Sequence, residues 1–294
     1  MGNNEQTKEV QKREENKEVT QKVNNAQNDY INEQLQRLSQ EAMEALNLIG
    51  EVLEALDKKD KEKAIEACEK SLGRIELLLA KDPNLVTVPV DIKEQVIDYP
   101  GTIEDIAHTK KVIQELIEED RIQEARAIMM NFASELDIYV TLLPVGAYPE
   151  AIKRIIPLIE AEQFEEAKRL IIEILDTLLL EKIVIPLPVL RAQKAIEVAS
   201  ELTKDKSDAN KEVLKELIEY AKDQLVIAQA LGYGKVDEDY KELFEEIEKI
   251  EKILEDEDKD TKNIFEELKE KLSSFLSTFN KASKEVEMPK AKEE

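Results

Sequence analysis

One pattern recurs three times along this chain and restricts it to a small set of folds. Aligned without gaps, Leu56, Ile117 and Ile159 each lie eight residues before an alanine, namely Ala64, Ala125 and Ala167. Val52, Ile113 and Ile155 sit one helical turn earlier. A short polar turn lies between the apolar residue and the alanine, so each copy reads as helix, turn, helix. The second and third copies keep step further on, with Pro144 and Pro186 each nineteen residues after their alanine. A hairpin with one apolar stripe cannot bury it alone and packs against its own second arm and its neighbours. The pattern describes a scaffold and carries no chemistry.

Composition supports a helical chain. The sequence has 294 residues, 37% charged and only 4% aromatic, with seven glycines and nine prolines, which favours long helices with solvated faces over sheets. The expected fold class is all-α: helical-hairpin repeats packed into a bundle-like domain, with at most a minor extended ribbon at the Pro-rich junctions. A net charge of −24 repels nucleic acid and anionic lipid alike. No apolar run reaches the length of a membrane span, so no membrane insertion is expected. The single cysteine, Cys68, excludes an intrachain disulfide; it shares a helical face with Ile65, Leu72, Ile75 and Leu79 and reads as a core residue.

Residues 1–29 form a polar extension, disordered or a long helix; 30–255 form the helical domain; 256–294 form an acidic helix and a disordered tail. Within the domain, Asp82-Pro83-Asn84 stops the first hairpin, and Leu85–Val90 contains Pro89, which allows an edge strand at best. Thr102 with Asp105 forms a capping box that opens the second hairpin, with arms at 102–118 and 121–140. Pro149 starts the third hairpin, Pro157 falls inside its first arm, and Phe164–Lys182 is its second arm. That arm is expected to be the most buried element. Ile183–Pro188 is extended and leads into a helix through Thr203. A further helix ends at Gly232-Tyr233-Gly234, and charged helices follow at 237–255 and 261–280.

Catalytic constellations fail early. His108 is the only histidine, so neither a Ser–His nor a Cys–His pair has a second candidate, and a di-metal carboxylate bundle cannot be completed. Gly232-Tyr233-Gly234 follows a helix and lacks the third glycine of a phosphate loop. Asp256–Asp260 lacks the glycine and terminal Glu of a calcium loop. No catalytic, cofactor-binding or metal-ligating residue is assigned, no cofactor is expected, and the chain is expected not to be an enzyme. The less ordinary side chains gather at the repeat junctions: Tyr99, Pro100, Tyr148, Pro149, Pro186, Pro188 and Arg191. They serve either as helix punctuation and packing or as a groove or subunit contact.

At these junctions the chain resembles the YfdX proteins of bacteria. The resemblance rests on Lys81-Asp82-Pro83 with Val88-Pro89-Val90-Asp91, then Tyr148-Pro149-Glu150-Ala151-Ile152-Lys153. It continues in Val184-Ile185-Pro186-Leu187-Pro188-Val189-Leu190-Arg191-Ala192 and in Gln229-Ala230-Leu231-Gly232-Tyr233-Gly234, covering roughly residues 35–250. It implies an all-helical, self-associating, exported protein linked to acid and drug stress, and no catalytic residues come with it. Periplasmic residence follows from the resemblance alone, since no export signal is seen; a native full-length sequence of this kind would be cytoplasmic. The expected function is therefore a non-enzymatic stress-response protein acting by self-association and protein binding. The alternative is a protein that binds and sequesters a small amphipathic compound. A homo-oligomer is the expected state, and association should rise as pH falls toward the pI of 4.6.

Overall fold

The computed structural model describes residues 2–203, 208–234, 238–254 and 262–282. The middle of the polar linker, the acidic run after Leu254 and the tail after Ala282 lie outside the described residues. Among the described residues there are eleven helices and one three-stranded sheet, so the predominantly helical fold is borne out. The polar extension is helical: α1 runs from Gly2 to Gln36.

The three hairpins are α2 (Gln40–Asp57) with α3 (Lys61–Lys81), α4 (Ile103–Glu118) with α5 (Ile122–Met129), and α6 (Tyr148–Glu160) with α7 (Phe164–Leu175). Their turns share one backbone geometry. Lys59, Asp120 and Glu162 each stand five residues before the aligned alanine, and each adopts the left-handed conformation, with φ of 57°, 59° and 58°. The next residue in each turn donates its N–H five residues back: Asp60 to the Ala55 carbonyl, Arg121 to Leu116 and Gln163 to Leu158, all at 2.8 Å. This is a Schellman closure, which satisfies the orphan carbonyls of the first arm. Ala64, Ala125 and Ala167 follow, all buried, because only a small side chain lets the second arm approach that closely.

The second arms depart from expectation. α5 ends at Met129 and not near 140, and α7 ends at Leu175 and not at Lys182. The residues that follow are strands, β2 (Glu135–Pro144) and β3 (Leu179–Pro186), each closed by its aligned proline. Leu136, Ile138 and Val140 alternate along β2 as do Ile183 and Ile185 along β3, a two-residue period that an α-helix would scatter around its surface. In the first copy the helix instead runs on to Lys81. Pro83, also nineteen residues after its alanine, then stops it before β1 (Thr87–Ile97). The strands pair in the order β1-β2-β3, which places Pro89 on an edge strand where its missing N–H costs least.

The chain divides into two compact units, and the division falls within each strand. The paired-hairpin unit comprises Tyr30–Glu94 and Ile138–Lys182. In it α2 packs on α7 and α3 on α6, so the first arm of each hairpin meets the second arm of the other. Their stripes merge into one core that contains Ile49, Val52, Leu56, Cys68, Ile152, Ile155, Ile159 and Ile171. The Ser71 hydroxyl donates to the Ala45 carbonyl (2.9 Å), which satisfies a polar side chain inside this core.

The second unit comprises Met1–Asp29, Gln95–Asp137 and Ile183–Glu294. It holds the middle hairpin with α8 (Leu187–Leu202), α9 (Asp208–Leu231), α10 (Glu238–Leu254) and α11 (Lys262–Ala282). The most buried helix is α8 and not α7: it is apolar around most of its circumference, whereas Glu165, Glu166, Arg169 and Glu173 keep one side of α7 in water. Gly232 and Gly234 close α9 at φ of 92° and 76°. At Gly234 a β-carbon would lie 2.7 Å from the Phe275 ring, so the position needs glycine for space as well as conformation. Glu246 is buried and accepts from Lys249 (2.9 Å) and Lys271 (2.8 Å); burial pushes its carboxyl up, but the two ammonium groups outweigh this and hold it below the usual range.

Candidate functional site

The junction residues divide between the two units. Tyr148 and Pro149 open α6 inside the paired-hairpin core, where the Tyr148 phenol is buried and donates to the Ile174 carbonyl (3.3 Å). Burial pushes that phenol up to about 12. Pro186 and Pro188 are buried at the β3–α8 junction of the other unit. Arg191 lies one turn further along α8 and grips the Asp98 carboxylate with two parallel bonds, Nη1–Oδ1 at 3.2 Å and Nη2–Oδ2 at 2.5 Å. Tyr99 follows Asp98, and its ring stands edge-on to Phe132 at 5.3 Å. Pro100 beside it is exposed. His108 points into solvent on α4.

These contacts fasten the base of the middle hairpin. The Tyr99 N–H donates to Ser134 Oγ (3.0 Å), and the Tyr99 hydroxyl shares a 2.8 Å bond with Thr109 on α4. The Ser134 N–H donates to the Tyr233 hydroxyl (2.9 Å), which in turn donates to the Glu135 carboxylate (2.8 Å). Burial, reinforced by the Glu135 charge, drives the Tyr233 phenol far above its ordinary range, so it remains a protonated donor and acts as a latch. Lys110 on α4 reaches the Ala230 carbonyl at the end of α9 (3.3 Å). Thr102 caps α4 through a complete capping box with Asp105.

Beyond these contacts α4 packs against α9 with Ile106 buried, but several apolar side chains of the middle hairpin are open. Ile103 is 39% exposed, Ile117 45% and Met129 52%. In the gapless register these positions correspond to Ala42, Leu56 and Cys68 of the first hairpin and to Val145, Ile159 and Ile171 of the third. All six of those counterparts are buried. Ile122 and Met130 extend the exposed apolar surface of α5. Beneath it lies only a small cluster of Ile113, Leu116 and Ala125 with Val112, Ile128 and Phe132. Sequence reasoning missed this face because it treated the three stripes as equivalent. The signal was Lys110, a charge at the position that Ile49 and Ile152 fill in the other copies.

A second candidate lies on the outer side of α2 and α3, in the paired-hairpin unit. An open groove of about 760 Å³ runs between Leu48 and Leu77, rimmed by Glu44, Glu51, Lys70 and Arg74. Gly73 leaves its floor without a side chain, and the Arg74–Glu44 pair (2.9 Å) bridges it. Among the described residues no helix is long and apolar enough to cross a membrane, and no group of His, Cys, Asp and Glu side chains could hold a metal ion.

The fold thus defines a class: a predominantly helical protein of repeated hairpins, the second and third followed directly by a strand ending in proline. The family resemblance is shown within it, since residues 45–184 match the family described as YfdX protein. The matched stretch runs from within α2 through the second and third hairpins and the strands β1 and β2, and it is shorter than the 35–250 span expected from the junction motifs. Among solved structures, that of YfdX from Salmonella Typhi is similar at 12% identity, covering 51% of this chain and 93% of the other, with a TM-score of 0.37. No curated protein matches the chain.

Proposed function

We propose that this chain is a non-enzymatic, periplasmic protein of the acid and drug stress response that works by self-association and protein binding. The observation that carries the reading is the open face of the middle hairpin, where Ile103, Ile117 and Met129 meet water at positions buried elsewhere in the chain. Apolar side chains in a shared helical register, fastened on a clamped base, form a surface suited to another helix. Sedimentation of the full chain at micromolar concentration, at neutral and mildly acidic pH, tests it. An oligymeric species is the expected result, and a strict monomer under both conditions overturns the reading.

The groove between α2 and α3 favours a second reading, in which the protein sequesters a small amphipathic compound. Leu48 and Leu77 supply apolar walls, and Lys70 and Arg74 offer cations at its rim. Calorimetric titration with amphipathic dyes, antibiotics and fatty acids tests it. The expected outcome is saturable heat that Leu77→Glu abolishes; absence of heat across the panel removes this reading.

A further inference from the structure

We infer that the groove on the outer side of α2 and α3 takes a singly charged cation with an apolar body, its head on Glu51 and its body between Leu48 and Leu77. The inference rests on the sequestration reading and names the chemical class of the compound.

The groove extends beyond its apolar part. A narrower cavity of about 290 Å³ continues it toward the hairpin turn, and Glu51 and Lys70 line both. The lining follows the outer seam of the hairpin. On α2 it runs through Glu44, Leu48, Glu51, Ala55 and Lys58, spaced three and four residues apart along one helix face. Small residues on both arms keep the seam open. Ala55 and Ala67 flank the narrow part, and a β-carbon at Gly73, in the wide part, would meet nothing within 4 Å.

Charge selects the occupant. Five carboxylates and four cations line the two cavities, and every one of those cations already holds a carboxylate. Lys58 pairs with Glu54 (3.5 Å) and Lys63 with Asp60 (3.1 Å). Lys70 pairs with Glu66 (2.7 Å) and Arg74 with Glu44 (2.9 Å). The carboxylate left over is Glu51, which makes no hydrogen bond or ion pair among the described residues and stands where the two cavities meet. It feels the Lys70 charge, but Glu66 holds that ammonium. An incoming anion must displace a carboxylate from its cation. An incoming cation breaks no pair and supplies the one that is missing. The apolar walls set the rest of the ligand. Leu77 lies seven residues beyond Lys70 on α3, about 10 Å along the helix, so a body of that length with its head on Glu51 reaches it. Leu77 is 45% exposed, and covering it adds the apolar contribution that a bare cation lacks.

The test is calorimetric titration of the full chain with decyltrimethylammonium below its micellar concentration. Decanoate, with a similar chain and the opposite charge, and tetramethylammonium, a head without a body, are the comparators. One saturable site for the first and no heat from the other two is the expected result. Glu51→Gln should weaken binding about fivefold, the effect of one partly exposed ion pair, and less at high salt. Glu69→Gln makes the same charge change on α3 at a residue that lines neither cavity, and it should leave the affinity unchanged. That control separates the groove from the general attraction of an acidic chain for cations. Gly73→Leu fills the wide part and improves helix propensity, so it should abolish binding while urea melts show stability retained. Decanoate binding as tightly, many equivalent weak sites, or an affinity unmoved by Glu51→Gln or Gly73→Leu overturns this inference and leaves sequestration to the wider panel. No heat from any of the three compounds or from that panel overturns both.

Discussion

The shared turn geometry makes a quantitative claim that can be tested on the three hairpins separately. Lys59, Asp120 and Glu162 hold φ near +58° although each has a β-carbon, and that conformation costs an ordinary residue about 1–2 kcal/mol. Glycine removes the clash but brings a backbone-entropy cost of about 0.5–1 kcal/mol. The difference predicts that glycine stabilises each turn by about 0.5–1 kcal/mol relative to alanine, which keeps the clash. Comparing glycine with alanine, and not with the native residue, also cancels helix-dipole effects. Those favour Lys59 and disfavour Asp120 and Glu162 at the ends of their first arms. Urea denaturation of the three alanine–glycine pairs, with slopes unchanged, reads the difference directly. The double change at Lys59 and Glu162 should deviate from additivity, because Lys61 donates to the Glu160 carbonyl (2.7 Å) and links those two turns. Glycine less stable than alanine at any of the three sites would refute the argument that these turns are strained and equivalent.

Four further outcomes follow from the same structure. Gly234→Ala should destabilise by about 2–4 kcal/mol in thermal or urea melts, since a left-handed φ and a clash with Phe275 add together. Burial raises the Cys68 thiol to about 12, so thiol reagents should leave the native protein unlabelled at neutral pH and label it once denaturant is added. Donation from the Thr102 backbone and hydroxyl holds the Asp105 carboxyl below its ordinary range. Its contribution is therefore complete above the unfolded aspartate range and lost as pH falls through the lowered value; the deficit of Asp105→Asn, measured by urea melts, should be present at neutral pH and vanish in strong acid. Light scattering should rise as pH falls toward 4.6, because protonation relieves the self-repulsion of a chain with net charge −24, and a flat profile would contradict that account.

The hairpins were legible because their signal is local. A stripe, a polar turn and a small residue at fixed spacing set where each helix ends, and α3, α5 and α7 all begin three residues before their alanine. The capping box at Thr102 and the glycines after α9 were legible for the same reason. The strands were harder, because Leu136–Leu143 and Leu179–Ile185 are short, mostly apolar segments whose alternation covers only a few residues, and a neighbouring strand must supply their hydrogen bonds. Arg191 stood out as an unusual residue in an apolar helix, yet its partner Asp98 is 93 residues away, and no spacing rule could supply it. Tyr148 was visible as a junction aromatic, while its burial depended on how two hairpins close over it.

The deepest difference between the copies is one of environment. Backbone geometry at the turn is the same in all three, which means that the turn answers to the hairpin alone. The outward positions answer to whatever lies across from them: Leu56 and Ile159 are covered because the first and third hairpins face each other. Ile117 carries the same kind of side chain and is not covered. If the middle copy were merely a peripheral hairpin, selection for solubility would favour polar residues at Ile117, Met129 and Ile103. Retaining apolar residues there is economical only if the face is covered for part of the protein's life. That reasoning turns a small irregularity in a repeat into a statement about assembly, and hydrogen exchange can decide it. Protection of the amides of α4 and α5 that increases with protein concentration, while α10 and α11 stay constant, is the expected signature. Exchange that is independent of concentration throughout the middle hairpin would show that nothing covers it.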